Sequence, residues 1–273
     1  MAMPGIIFHT IMHARARIAG TKTALAEFPI TKGGFVSLSR FGTSDPFLKE
    51  RMFGLSGPEG NHGEDVKELY WYADSTPTHS FMRMIYRYPQ SRFPYEELLA
   101  QNATRSKFEG EFEIWNTNAF AENRYFDIEI EYAKADTHDI LIRLNAKNCG
   151  PESAPLHLLP TIWFRNTWSW GRDQIKPTLR KTGGDGHTAI ISASHPALGA
   201  YKLICDSVDD VFFTENESNA ERLWGVPNAK PFVKDSINDY LVNREIDRVN
   251  PAQTGTKAAA YYKFNIPAGE TIS

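Results

Sequence analysis

Residues 126–147 hold the pattern that most narrows what this chain can fold into. Phe126, Ile128, Ile130 and Tyr132 alternate with Asp127, Glu129 and Glu131, and Ile140, Ile142, Leu144 and Ala146 alternate with Leu141, Arg143, Asn145 and Lys147. Strict period two sends successive side chains to opposite sides of an extended backbone. Each segment therefore reads as a strand with one buried and one wet face, as in an antiparallel sheet covered on one side. Residues Ala135-Asp136-Thr137-His138-Asp139 form a turn between them, and Asn148-Cys149-Gly150-Pro151-Glu152-Ser153 a second turn. Leu156, Leu158, Ile162 and Phe164 continue the meander.

Further strands are expected at 36–41, 69–73, 189–192, 201–205, 211–214 and 258–266, which makes the fold mainly β: a large antiparallel β-sandwich with a few short helices. The tail, Phe264-Asn265-Ile266-Pro267-Ala268-Gly269-Glu270-Thr271, reads as a strand and a turn, with the chain expected to stop before its last strand. Helical patches are short. Pro77 can open one carrying Phe81, Ile85 and Tyr88; a second covers 94–107; a third runs from Asn219 to Trp224 and stops at Gly225; Asp235 or Ser236 can cap a fourth. The first 30 residues are weakly patterned.

Composition removes several functions. The 273 residues carry net charge −3 with Lys and Arg dispersed among the acids, so nucleic acid is not an expected partner. The apolar run Ile6-Ile7-Phe8 and Ile11-Met12 is too short and broken for a secretory or membrane segment; no membrane partner and a cytoplasmic location are expected. Cys149 and Cys205 match no metal spacing and read as free thiols. Asn102-Ala103-Thr104 and Asn216-Glu217-Ser218 match the glycosylation sequon, which means little without a leader. Aromatic content of 12% suits both a thick β core and a sugar binder.

Residues 50–80 concentrate polar ligand types before the aromatic run Leu69-Tyr70-Trp71-Tyr72. His62, Glu64 and Glu68 loosely resemble the first cupin motif, yet Glu64 stands where a second His belongs. The simpler reading gives Gly60 and Gly63 a tight loop whose free backbone groups His62, Glu64 and Asp65 satisfy. No metal and no cofactor are expected. Thr78-His79-Ser80 lacks a third member for nucleophilic catalysis, and Gly183-Gly184-Asp185-Gly186 lacks the Lys-Ser/Thr of a phosphate loop. In Trp163-Phe164-Arg165-Asn166-Thr167-Trp168-Ser169-Trp170-Gly171, alternation sets Trp168 and Trp170 on one side of a strand end beside Arg165 and Asn166. That set suits either a polyol platform or packing against another domain.

Several words together resemble bacterial glucosidases related to glycoside hydrolase family 63, the mannosyl-oligosaccharide glucosidase family. They are Asp45-Pro46-Phe47-Leu48-Lys49-Glu50-Arg51, the stretch from Gly57-Pro58-Glu59-Gly60-Asn61-His62 to Glu68, Asp74-Ser75-Thr76-Pro77-Thr78-His79-Ser80, Arg124-Tyr125-Phe126-Asp127, Leu158-Leu159-Pro160-Thr161 through Gly171, and Gly255-Thr256-Lys257-Ala258-Ala259. The resemblance runs from about Asp45 to the end, with 41–273 taken as the sandwich domain, while 1–40 match poorly. It implies an N-terminal sandwich packed on an (α/α)6 barrel that carries the acid and base of an inverting exo-glucosidase. This chain has no room for six helix pairs, so no catalytic residue is assigned. The implied partners are that barrel and an oligosaccharide. The cleft-rim candidates are Glu59, Asn61, His62, Glu64, Asp65, Arg165, Asn166, Trp168 and Trp170. A non-catalytic carbohydrate-binding or interaction module is the alternative.

Overall fold

The computed structural model describes residues 6–9 and 16–20 as backbone, and residues 69–171 and 175–273 with side chains apart from that of Trp170. The strand expected at 36–41 lies outside them. The protein is mainly β, 44% strand and 14% helix. The large sheet is antiparallel, in the order β13 (Thr254–Gly255), β9 (Thr178–Gly183), β10 (Thr188–His195), β11 (Gly199–Asp206), β2 (Ala16–Gly20), β6 (Asp139–Asn148), β5 (Tyr125–Asp136), β4 (Phe81–Pro89) and β3 (Leu69–Ser75). The small sheet runs β1 (Ile6–His9), β8 (Thr161–Phe164), β14 (Lys257–Ile266), β12 (Asp210–Thr214), with β7 (Ala154–Leu158) on the second half of β14. No helix among the described residues is long and apolar enough to cross a membrane, and no (α/α)6 barrel is evident among them.

The alternation in β5 and β6 decides which face is inside. Ile128, Ile130, Ile142 and Leu144 share a core with Ile162, Phe164, Phe213 and Tyr262 of the small sheet. On the outer face the charges pair across strands: Arg87 grips Asp127 at 2.7 and 2.8 Å, Arg143 reaches Glu131 at 2.6 Å, and Asn145 donates to Glu129 at 3.0 Å. The middle of the small sheet, β8 and the first half of β14, is buried on both faces, which fits its lack of alternation. All four residues of β8 are buried. Phe212 and Ala259 point away from the main core and pack with Leu159, Ile237 and Leu241. Ile237 and Leu241 are one helical turn apart on α3 (Ser236–Leu241), inside the 215–253 excursion that covers this face.

Three of the four expected helical patches form, although the one at 94–107 is shorter than expected. The helix expected at 94–107 is α1 (Tyr95–Thr104). The third, α2 (Ala220–Trp224), is capped by Asn219, whose side chain accepts from the Arg222 N–H, and is closed by Gly225 at φ 68°. The patch opened by Pro77 is not helical, and this corrects the sequence reading. Phe81, Ile85 and Tyr88 fit a helical spacing, but Met84, Tyr86 and Tyr88 also fit period two, and these three are buried in β4. Nine residues of β4 pair with β5, a gain no isolated helical turn can match. Pro77 lies instead in the β3–β4 hairpin. The weakly patterned first residues supply β1 and β2, which pair with β8 and with β6 and β11. Strand β9 also lacked a signal, because only Leu179 in it is buried.

Two of the corners at which the chain changes sheet are closely hydrogen-bonded. Between β13 and β14 it crosses at Thr256, which is 1% exposed. Thr256 N–H donates to the Thr214 carbonyl at 3.0 Å, and its own carbonyl accepts from Phe164 N–H at 3.0 Å. After β14 it turns at Gly269 and returns as β15 (Thr271–Ile272), not beside β14 but on β6 of the large sheet. Here the buried Asn148 uses its whole side chain. Its amide donates to the Glu152 and Ile266 carbonyls at 2.7 and 2.8 Å, and its oxygen accepts from Gln90 Nε2 and Gly150 N–H at 2.6 and 2.8 Å.

Two stability outcomes follow from this packing. A Cβ on Gly255 would stand 2.2 Å from the Thr214 carbonyl oxygen. Gly255→Ala is expected to cost roughly 2–4 kcal/mol in urea unfolding, since backbone must move. His157 on β7 is fully buried and 2.6 Å from the Tyr261 hydroxyl. Burial, with Lys263 nearby, lowers its pKa from 6.5 to about 4. The unfolded chain therefore takes up a proton that the fold refuses. Stability should be full above pH 6.5 and fall by about 3 kcal/mol as pH drops toward 4. His157→Gln should flatten that slope in denaturant titrations across the range.

Candidate functional site

The aromatic–polar segment follows β8, and its conformation departs from the sequence reading. The strand ends at Phe164, whose carbonyl accepts from Asn216 Nδ2 at 2.9 Å. Asn166 then accepts from Ser169 N–H at 3.2 Å, and Trp168–Trp170 forms a single 3-10 turn closed by Gly171 at φ 65°. Trp168 and Trp170 thus share a tight turn, not the side of a strand. Two residues in a three-per-turn helix do not line up as they do across a pleat. Arg165 is exposed and Asn166 half-buried. Trp168 is half-buried and packs against the main core. The side chain of Trp170 lies outside the described residues, as do Glu59, Asn61, His62, Glu64 and Asp65.

Trp168 leads to a charged cluster. Its indole N–H donates to Glu217 Oε1 at 2.7 Å. Lys176 Nζ contacts the same oxygen at 2.9 Å and Glu215 Oε2 at 2.9 Å, and lies 5.5 Å from the Trp168 ring. Thr256 Oγ1 donates to Glu215 Oε2 at 2.7 Å and accepts from Asn216 N–H at 2.8 Å. Two carboxylates therefore share one ammonium directly above the sheet-crossing corner. Burial opposes the charge on Lys176, but the hydrogen bonds it donates to Glu217 and Glu215, with their negative charge, outweigh it and raise its pKa. Burial likewise works against ionised Glu217, yet Lys176 and Trp168 hold its carboxyl below the usual range. A general acid needs the opposite tuning. As built, the cluster is a charge-balanced bracket that fixes the indole.

None of Lys176, Glu215 and Glu217 was visible as a site in the sequence. The one available signal was the pair of acids flanking Asn216 just past a buried strand. The other motifs resolve into local structure. Ser75, Thr76, Thr78, His79 and Ser80 knit the β3–β4 hairpin loop, with Thr76 and Ser80 hydroxyls 3.0 Å apart and His79 at φ 53°. Asp185 accepts from the His187 and Thr188 N–H groups in the β9–β10 turn. Of the sequon residues, Asn102 brackets the Phe112 backbone on both sides while Asn216 holds Phe164. Among the described residues no His, Cys, Asp and Glu group has a metal-holding arrangement.

No family model matches the sequence. The uncharacterized protein YMR196W of Saccharomyces cerevisiae (strain ATCC 204508 / S288c) is 37% identical over 274 residues, which cover 87% of this chain and 25% of that protein. The chain thus spans a quarter of the length of the curated relative it matches.

Lys176→Met should leave both carboxylates short of a counter-charge in a partly buried place, at a cost on the order of 1–3 kcal/mol. The Glu217 contribution is complete above its ordinary value of 4.5 and is lost as pH falls through the folded value. In Lys176→Met the Glu217 carboxyl should move up, as read by carbon-detected NMR titration.

Proposed function

We propose that this chain is the β-sandwich part of a glucosidase of the family 63 type, with a supporting and cleft-shaping role. In this reading the general acid and base come from a helical barrel elsewhere in the polypeptide. The observation that carries it is the Leu158–Gly171 word. The longest stretch of the resemblance covers the buried strand β8 and the Trp168 turn, and through Trp168 it touches the Lys176–Glu217–Glu215 bracket. A bracket that spends its carboxylates on holding an indole fits a rim or domain contact better than proton transfer. The length of the yeast relative, four times the matched part, is compatible with a large second domain. The free thiols Cys149 and Cys205 support a reducing, cytoplasmic setting.

The full-length yeast relative is expected to release glucose from glucosyl oligosaccharides with inversion at the anomeric carbon, followed by proton NMR. Trp168→Ala in the full-length protein that carries this chain should lower kcat/KM by about tenfold through a loosened rim. Absence of glucosidase activity in the relative, or a Trp168→Ala enzyme of unchanged activity and stability, would overturn the reading.

A further inference from the structure

The outer face of the large sheet presents a second, separate constellation. Register sets Trp71, Ile85, Glu129 and Asn145 in one row across β3, β4, β5 and β6, and Leu69, Arg87, Asp127 and Lys147 in the next. Trp71 is 45% exposed at the sheet edge. The Arg87 guanidinium lies 5.5 Å from its ring and 4.0 Å from the Tyr125 ring. The same guanidinium is locked to Asp127 by two hydrogen bonds, and Asn145 is locked to Glu129. We propose that this face binds a neutral oligosaccharide, with Trp71 as the stacking platform and Arg87, Asp127, Glu129 and Asn145 as the hydroxyl-binding groups.

The chemistry favours that ligand over others. An exposed indole offers an apolar face that suits the C–H face of a pyranose. Carboxylate oxygens, a guanidinium and an amide exchange hydrogen bonds with ring hydroxyls, and their mutual ion pairs hold them still before binding, which limits the entropy lost. Arg83, Arg87 and Arg143 are each matched by Glu129, Asp127 and Glu131, which leaves the exposed Lys147 as the surplus charge of these rows, too little for a phosphate or polyanion site. The core of a protein interface is depleted in charge, and this face is dense in it. From Trp71 to Asn145 the row crosses three strand spacings, roughly 14 Å, the reach of a short oligosaccharide. The platform belongs to the large sheet and shares no residue with the Trp168 bracket.

Affinity electrophoresis of this chain in gels containing amylopectin or mannan tests the proposal, with calorimetry against maltoheptaose where amylopectin retards it. Retardation is expected in at least one gel. Trp71→Ala should weaken binding by about tenfold or more, Trp71→Tyr should retain it within a few-fold, and Trp224→Ala, which removes an exposed indole on α2, should leave it unchanged. Circular dichroism and melting report whether each variant is folded. If Trp71→Ala melts early, Asn145→Ala at the far end of the row replaces it, with a loss of about threefold or more expected. Unretarded wild type in both gels, folded Trp71→Ala or Asn145→Ala that binds as wild type, or loss confined to Trp224→Ala would overturn it. Because no hydrolysis is read, failure of the glucosidase reading and failure of this one are distinguishable.

Discussion

The fold depends on how Thr256 satisfies its polar groups while the chain crosses from one sheet to the other. Its N–H, carbonyl and hydroxyl together bond to β12, to the end of β8 and to the 215–217 segment. A buried residue with any of these groups unpaired would cost about as much as a good hydrogen bond contributes. The corner therefore admits one arrangement of β8, β12 and β14. Gly255 belongs to the same constraint, because the Thr214 carbonyl occupies the space a side chain would need. The Lys176 bracket is built on this corner, so the position of Trp168 follows from how the sheets meet.

Much of the β architecture was legible because burial leaves a period in the sequence. β5 and β6 alternate since only one of their faces is covered, and β8 and Ala258–Ala260 of β14 run apolar or small since both of theirs are. Where burial and pattern part company, the reading fails. Phe81, Ile85 and Tyr88 mimic a helix because β4 is wholly apolar inward and carries Ile85 outward, blurring its period. In β9 a single buried leucine, Leu179, leaves no pattern at all.

The bracket was illegible for a different reason. Trp168 and Glu217 are 49 positions apart, and Lys176 and Glu217 are 41 apart, so nothing local marks them as partners. The expected side-by-side tryptophans depended on the strand continuing past Phe164. Asn216 and Asn166 stop it there by taking backbone groups that a longer ladder would have used. The acids of β5 were readable as a wet face, but their pairing with Arg83, Arg87 and Arg143 depends on a register between strands that alternation alone does not number.

By itself the sequence determined that this protein is an antiparallel β-sandwich, which residues of β5 and β6 face its core, and where α2 begins and ends. These properties depend on neighbours a few positions apart, through side-chain period and helix capping. The tertiary structure decided which strands pair, where the chain changes sheet, and which distant acids share the ammonium of Lys176. Those outcomes depend on hydrogen bonds and charges between segments that meet only after the two sheets have packed.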